Sequence, residues 1–124
     1  MAFDWTCGEL AEGLRCYRSA EYFKAHEHWE SEWLRLDEPE KSFLQALIQV
    51  TAAFHHYYRG NRVGAASLLG RALRRLEVSP AQYEGICAGG VCEEVRAWLR
   101  AIEDGGVVPG SVVGIGVAVA GDES

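Results

Sequence analysis

The sequence lacks the marks of a protein that works on nucleic acid, in a membrane or outside the cell. Its 124 residues include 12 lysines and arginines against 18 acidic residues, which gives a formal net charge of −6. A general electrostatic attraction to nucleic acid or to anionic lipid is therefore not expected. The N-terminus has no basic segment followed by an apolar run, so we expect no signal peptide and a cytoplasmic location.

The cysteines lack the Cys-x-x-Cys spacing that is typical of zinc and redox sites. The chain has four of them, Cys7, Cys16, Cys87 and Cys92. Since nothing in the sequence indicates an oxidising compartment, we expect reduced and mostly packed thiols rather than two disulfides.

The remaining composition is that of one globular domain. Apolar residues make up 48% of the chain and charged residues 24%, which is the ordinary balance of a folded protein. A chain of this length buries roughly two-thirds of the surface that its unfolded form exposes. One compact core is therefore expected.

Apolar residues at helical spacing predict five helices. The predicted helices cover residues 9–18, 22–36, 39–59, 62–77 and 91–103. Gly60 and Asn61 supply a stop and then an N-cap, so the third and fourth helices should form an antiparallel pair. We therefore predict an all-α fold, a compact bundle of about five helices with tetratricopeptide-like antiparallel helical hairpins.

A change of composition after Asp104 divides the chain into a helical domain, residues 1–104, and a Gly/Val-rich C-terminal tail, residues 105–124. The tail is too short and too often interrupted by glycine to span a bilayer, so no membrane partner is expected. It is either flexible or an extended segment that pairs with an exposed edge or with another subunit. Its terminal position favours flexibility.

The second predicted helix, Tyr22 to Leu36, places titratable side chains where apolar ones are expected. His26 and Glu30 fall on the same face as Trp29 and Trp33, which is the face predicted to meet the core. A histidine and a carboxylate at positions i and i+4 can contact each other or share one ion. Because an unpartnered buried charge is costly, this stretch is the strongest indication of a site.

A polar stripe on the third predicted helix could supply partners for this pair. Gln45, Gln49 and His56 of the stripe lie opposite the apolar face of that helix. The stripe is either an ordinary solvent face or a set of partners for His26 and Glu30. For the pair itself, three interpretations stay open: a structural polar network, a metal site and acid-base catalysis.

Several short blocks resemble the domain-of-unknown-function 309 family. They are Ala25-His26-Glu27 with Glu30 and Trp33, the run from Phe43 to Gln49, Arg59-Gly60-Asn61, Gly64-Ala65 and Leu68-Leu69. The resemblance implies a small, all-α bacterial or archaeal protein whose His-x-x-x-Glu-x-x-Trp signature has been suspected of binding metal. Here that signature falls on His26, Glu30 and Trp33. No established activity comes with the family.

These observations lead to two main hypotheses for the function. The first is a divalent-metal or small-ligand site between the second and third helices, in which His26 and Glu30 are the metal ligands. The other residues predicted to line it are Glu27, Trp33, Gln45, Gln49 and His56. The second is a helical interaction or assembly module in which His26 and Glu30 only form a buried structural network.

A hydrolase with Glu30 as its general base is a third option, for which the sequence offers no substrate-positioning group. The sequence names no partner, and it is compatible with a homo-oligomer.

Overall fold

The computed structural model describes residues 3–117, which form five helices and one short hairpin. The helices are α1 (Gly8–Arg18), α2 (Tyr22–Trp33), α3 (Glu40–Tyr58), α4 (Arg62–Glu77) and α5 (Ala88–Asp104). Strands β1 (Gln82–Tyr83) and β2 (Ile86–Cys87) pair antiparallel between α4 and α5. The all-α prediction is confirmed. None of the helices within residues 3–117 is long and apolar enough to cross a membrane.

The helices pack in chain order, with α3 at the centre. α1 packs on α2, α2 on α3, α3 on α4 and α4 on α5, and Leu44 and Leu47 of α3 are completely buried. The turn between α3 and α4 follows the sequence prediction. Gly60 takes a φ of +85°, and the side chain of Asn61 accepts a hydrogen bond of 2.8 Å from the N–H of Gly64, which is the expected N-cap.

Helix α2 begins at Tyr22, as the sequence predicts, but ends at Trp33 rather than at Leu36. Its N-cap residue is Glu21. Ser19 closes α1, where its N–H donates to the carbonyl of Arg15. The signature residues nevertheless all lie within α2.

Helix α5 begins at Ala88, three residues before the predicted start, and runs through the Gly89-Gly90 pair. The N–H of Gly89 donates to the carbonyl of Ala81 at 3.0 Å, and a Cβ on Gly89 would lie 3.4 Å from that of Ala81. The hairpin segment is thus in contact with the first turn of α5, and the Gly89-Gly90 pair lies within the helix.

The first part of the predicted tail is packed against the helices. Val113 and Ile115 are buried, while the alternating Gly114 and Gly116 are exposed. Such alternation is the period of an extended strand. We call residues 107–117 the C-terminal strap.

Hydrogen bonds join the C-terminal strap to the first helix, α1, and to the last helix, α5. The hydroxyl of Tyr17 donates to the carbonyl of Val113, and the indole N–H of Trp98 donates to that of Ser111 at 3.0 Å. Val117 also forms an antiparallel bridge with Ile86 of β2. The strap is thus extended and paired with a strand edge, and the packing continues past the predicted boundary at residue 104. Residues 118–124 of the predicted tail lie outside the described residues.

All four cysteines are free thiols. Cys16 and Cys92 are buried, whereas Cys7 and Cys87 are exposed, so packing accounts for half of them.

Candidate functional site

The buried face of α2 is centred on Trp29 and not on the predicted site residues. Trp29 is completely buried against α1, where its indole N–H donates to the carbonyl of Leu10 at 3.1 Å. Gly13 of α1 makes room for it, because a Cβ there would lie 2.2 Å from the indole nitrogen. This close approach of α1 fixes which side of α2 is buried.

His26 and Glu30 lie beside that face rather than within it. Their side chains are 32% and 52% exposed, and His26 Nε2 is 3.3 Å from Glu30 Oε2. The prediction that both are buried in the core is therefore wrong. The buried residues of α2 are Tyr22, Ala25 and Trp29. They lie on one side of the stripe that helical spacing predicted.

The pair lies level with the middle of α3, by interpolation between two contacts that flank it along α2. The rings of Phe23 and His55 are 5.5 Å apart near one end of the α2–α3 contact, and Lys41 Nζ lies 4.3 Å from the ring centre of Trp33 near the other. Because the two helices run in opposite directions, the turn from His26 to Glu30 lies level with about residues 45 to 51 of α3.

Helix α4 flanks the same region of α3 on its other side. Arg62 lies 5.7 Å from the ring centre of Tyr57, and Arg75 lines a cavity together with Gln45. Interpolation between these two positions along the antiparallel helices α3 and α4 places Arg71 of α4 about level with Gln49. The polar stripe of α3 therefore lies between α2 and α4.

From these levels we infer a groove along α3, which we call the central groove. In this inference its floor is the stripe of α3, its first wall is the side of α2 that carries the His26–Glu30 pair, and its second wall is the side of α4 that carries Arg71 and Arg75. The floor residues are Lys41, Gln45, Gln49, Ala52 and His56.

Two buried polar atoms of this region have no hydrogen-bond partner within residues 3–117. They are the amide oxygen Oε1 of Gln49 and the indole nitrogen Nε1 of Trp33. Gln49 as a whole is only 7% exposed. Most buried polar groups in folded proteins are paired, so an unpaired acceptor and an unpaired donor in one region call for an explanation.

The predicted metal ligands do not form a complete donor set. No group of three or more His, Cys, Asp or Glu side chains that could hold an ion occurs among residues 3–117. His26 and Glu30 supply two donors, whereas a structural zinc site takes four. The residues present therefore do not fit a metal site built from these residue types alone.

Two other predicted site residues lie apart from the pair. Glu27 is exposed, and its carbonyl accepts a hydrogen bond from Ser31 Oγ. His56 lies at the turn into α4, where its Nδ1 is 3.3 Å from Asn61 Nδ2. The structure therefore brings Gln45, Gln49 and Trp33, but not His56, to the level of His26 and Glu30.

An aromatic cleft next to the pair was not predicted. It has a volume of about 560 Å³, and its lining includes Tyr22, Phe23, His55, Tyr58 and Arg59. Burial lowers the pKa of His55, and the nearby Arg59 lowers it further. The signal in the sequence was the aromatic residues beside two turns, with Tyr22 and Phe23 after the α1–α2 turn and Tyr58 before the α3–α4 turn. The cleft itself forms because α2 and α3 lie side by side.

Comparison with known proteins agrees with the motif blocks. The family model described as "Domain of unknown function (DUF309)" matches residues 10–68. An "Uncharacterized protein" of Aquifex aeolicus (strain VF5) is 29% identical over 94 residues, which are 75% of this chain and 27% of the relative. The chain thus spans about a quarter of the length of that relative. The resemblance to the domain-of-unknown-function family DUF309 therefore holds over residues 10–68, a stretch that contains all of α2 and α3.

Proposed function

We propose that the central groove binds a small polar ligand between His26 and Glu30 on one wall and Gln45 and Gln49 on the floor. The observation that carries the proposal is the amide oxygen of Gln49, which is buried without a partner. The ligand supplies the missing hydrogen-bond donor. Since this oxygen lies below the surface of the groove, binding includes a rotation of the Gln49 side chain.

The energetics favour this role over a structural one. A buried acceptor without a partner costs about 1 to 3 kcal/mol, so a leucine at position 49 would suit a merely structural helix better. Residues that break a packing rule in this way concentrate at functional sites. The His26–Glu30 pair is also half-exposed, and an exposed pair at this spacing contributes only about 0.2 to 0.5 kcal/mol.

The groups around the groove define the ligand by its hydrogen bonding. Glu30 accepts hydrogen bonds, His26 can donate or accept, and the two glutamine amides do both. A ligand with donors and acceptors close together, such as an amide or an amino acid, matches this set. A divalent ion would need donors beyond His26 and Glu30, from glutamine oxygens, solvent or the ligand itself. We propose the cytoplasm as the compartment, because composition and free thiols suit it.

The proposal is tested by nuclear magnetic resonance of the ¹⁵N-labelled protein. Acetamide, urea and glycine are titrated separately, and the side-chain amide signals of Gln45, Gln49 and Gln82 are followed. Gln82 is exposed on β1 and serves as the internal control. The proposal predicts a saturable shift at Gln49 and Gln45 with at least one probe and none at Gln82. Shifts of equal size at all three glutamines, or no saturable shift with any probe, would contradict it.

A second candidate function is an assembly module that pairs with another copy of the chain. Two aromatic side chains at the aromatic cleft favour it, because Phe23 is 56% and Tyr58 60% exposed. The antiparallel hairpins would then serve as in tetratricopeptide-like stacks. Sedimentation velocity over a hundredfold range of concentration tests this. A dimer that Phe23→Ser converts to monomer would support it, and a monomer throughout would exclude it.

A further inference from the structure

We propose that the end of the central groove formed by α2, α3 and α4 holds an oxyanion, either a carboxylate or a phosphate. This inference deepens the proposed function and rests on it, since it assigns a charge to the ligand of the same groove. The place is a cavity of about 260 Å³, which we call the terminal pocket. Its lining residues are Trp33, Glu38, Lys41, Ser42, Gln45 and Arg75.

The lining of the terminal pocket combines side chains with donor groups from three helices. They are Trp33 of α2, whose indole N–H is itself buried, Lys41 and Ser42 of α3, and Arg75 of α4. Arginine, lysine and hydroxyl donors together are the usual recognition set for carboxylates and phosphates.

The charge balance of the pocket is positive although the whole chain carries −6. Within residues 3–117, neither Lys41 nor Arg75 has a carboxylate oxygen within 4.0 Å. Glu38 is the single acidic residue of the lining. A hydrogen bond from Ser42 lowers the pKa of Glu38, whose Oε1 accepts the N–H of Ser42 at 3.0 Å. Lys41 and Arg75 carry two positive charges and Glu38, whose carboxylate is already hydrogen-bonded to Ser42, carries one negative charge. The net charge of the lining is therefore +1.

The indole of Trp33 points to an acceptor that the protein itself does not supply. The other three tryptophans each donate to a backbone carbonyl, Trp5 to Glu84 at 2.8 Å, Trp29 to Leu10 at 3.1 Å and Trp98 to Ser111 at 3.0 Å. Trp33 Nε1 is buried and has no acceptor in the part of the chain that the structure describes. An oxyanion oxygen would complete this hydrogen bond.

Binding requires a local change, because the N–H of Trp33 is covered by protein atoms. Lys41 is the side chain that can move, since its ammonium lies over the Trp33 ring at 4.3 Å and forms no ion pair within 4.0 Å among residues 3–117. We infer that Lys41 leaves the ring for the oxyanion, which then bridges Lys41, Arg75 and the indole.

The four indole N–H signals of the ¹⁵N-labelled protein provide the test. Sodium phosphate and sodium acetate are titrated separately against sodium chloride at matched ionic strength, and Trp33→Phe assigns the Trp33 signal. We expect a saturable shift of the Trp33 indole alone with phosphate, acetate or both, and no such shift with chloride. The two arms distinguish a phosphate site from a carboxylate site.

The variants Arg75→Gln and Arg74→Gln provide the matched pair. Both arginines lie in the last turns of α4, but only Arg75 lines the terminal pocket. A charge-assisted hydrogen bond contributes about 1.5 to 3 kcal/mol, so Arg75→Gln should weaken anion binding at least about tenfold. Arg74→Gln should leave it within about threefold, because Arg74 is exposed and its charge is screened by solvent. The other three indole signals verify that each variant is folded.

Three results would overturn the inference. They are the lack of a saturable Trp33 shift with either anion, shifts of similar size at all four indoles, and equal losses in the two arginine variants. The glutamine amides report on the proposed function separately. A response of Gln49 to neutral probes without an anion response of Trp33 would refute only the oxyanion. An anion response of Trp33 without any Gln49 response would leave the terminal pocket standing and refute the ligand role of Gln49.

Discussion

Replacing Gln49 with leucine should make the protein more stable, and this is the sharpest consequence of its buried amide. The substitution removes an acceptor that is buried without a partner and puts an apolar side chain of similar length in its place. Since such an unpaired group costs about 1 to 3 kcal/mol, the free energy of unfolding should rise by about that amount. Helix propensity changes little, because leucine and glutamine are both good helix formers.

A matched control is available two residues further along the same helix. Thr51 is also buried, but its hydroxyl donates to the carbonyl of Leu47 at 2.9 Å. Thr51→Val removes a satisfied hydrogen bond, so the free energy of unfolding should fall by about 0.5 to 1.5 kcal/mol. The two variants therefore shift stability in opposite directions, although both replace a buried polar side chain of α3.

Urea denaturation followed by circular dichroism measures both effects from the midpoint, provided that the slope stays constant. If Gln49→Leu instead lowers the free energy of unfolding by 1 kcal/mol or more, its amide is part of the structural network and the reasoning about the central groove is refuted. The same variant should abolish the response of the Gln45 amide to neutral probes. Higher stability combined with lost binding is the expected signature of a binding residue.

Three further predictions concern stability. His26→Ala should lower the free energy of unfolding, measured in urea, by less than about 1 kcal/mol, since its pair with Glu30 is half-exposed. A much larger loss would instead support the hypothesis that the pair belongs to a structural network. Gly13→Ala should lower the free energy of unfolding by about 1 to 3 kcal/mol, because the added Cβ would lie 2.2 Å from the indole nitrogen of Trp29. Gly106→Ala is the control, since a Cβ there would meet no atom within 4 Å. Burial, and then a hydrogen bond to Glu40, raises the pKa of Tyr83 to about 12. The unfolded chain then loses this proton first, so stability should fall as the pH rises from about 10 to about 12, and Tyr83→Phe should flatten that part of a denaturation series; an unchanged slope would contradict the shift.

The sequence predicted the elements that local chemistry determines. Gly60 and Asn61 form the turn as expected, because the positive φ and the side-chain cap are properties of those two residues. The glutamines of α3 were also placed correctly on one stripe, because helical spacing alone fixes which residues share a face.

The errors arose where packing between helices decides the outcome. His26 and Glu30 share a stripe with Trp29, but only the position of α1 determines that Trp29 is at its buried centre. The terminal pocket was missed because Trp33, Lys41 and Arg75 belong to three helices, and no spacing along the chain brings them together. The terminal position of the Gly/Val-rich tail favoured flexibility over extended pairing, but the alternation of buried Val113 and Ile115 with exposed Gly114 and Gly116 packs the first part of the tail on the helices.

The C-terminal strap also affects the order in which the molecule assembles. Each helix mainly contacts its neighbour along the chain, so these contacts close short loops and can form early. In contrast, the strap meets Tyr17 across 96 positions, and the N–H of Phe3 reaches Glu84 across 81. These distant contacts tie the two ends of the chain to the bundle, and they can form only after the helices are in place. We therefore expect the two ends to join last during folding and to open together first, as one cooperative unit, when the native protein fluctuates.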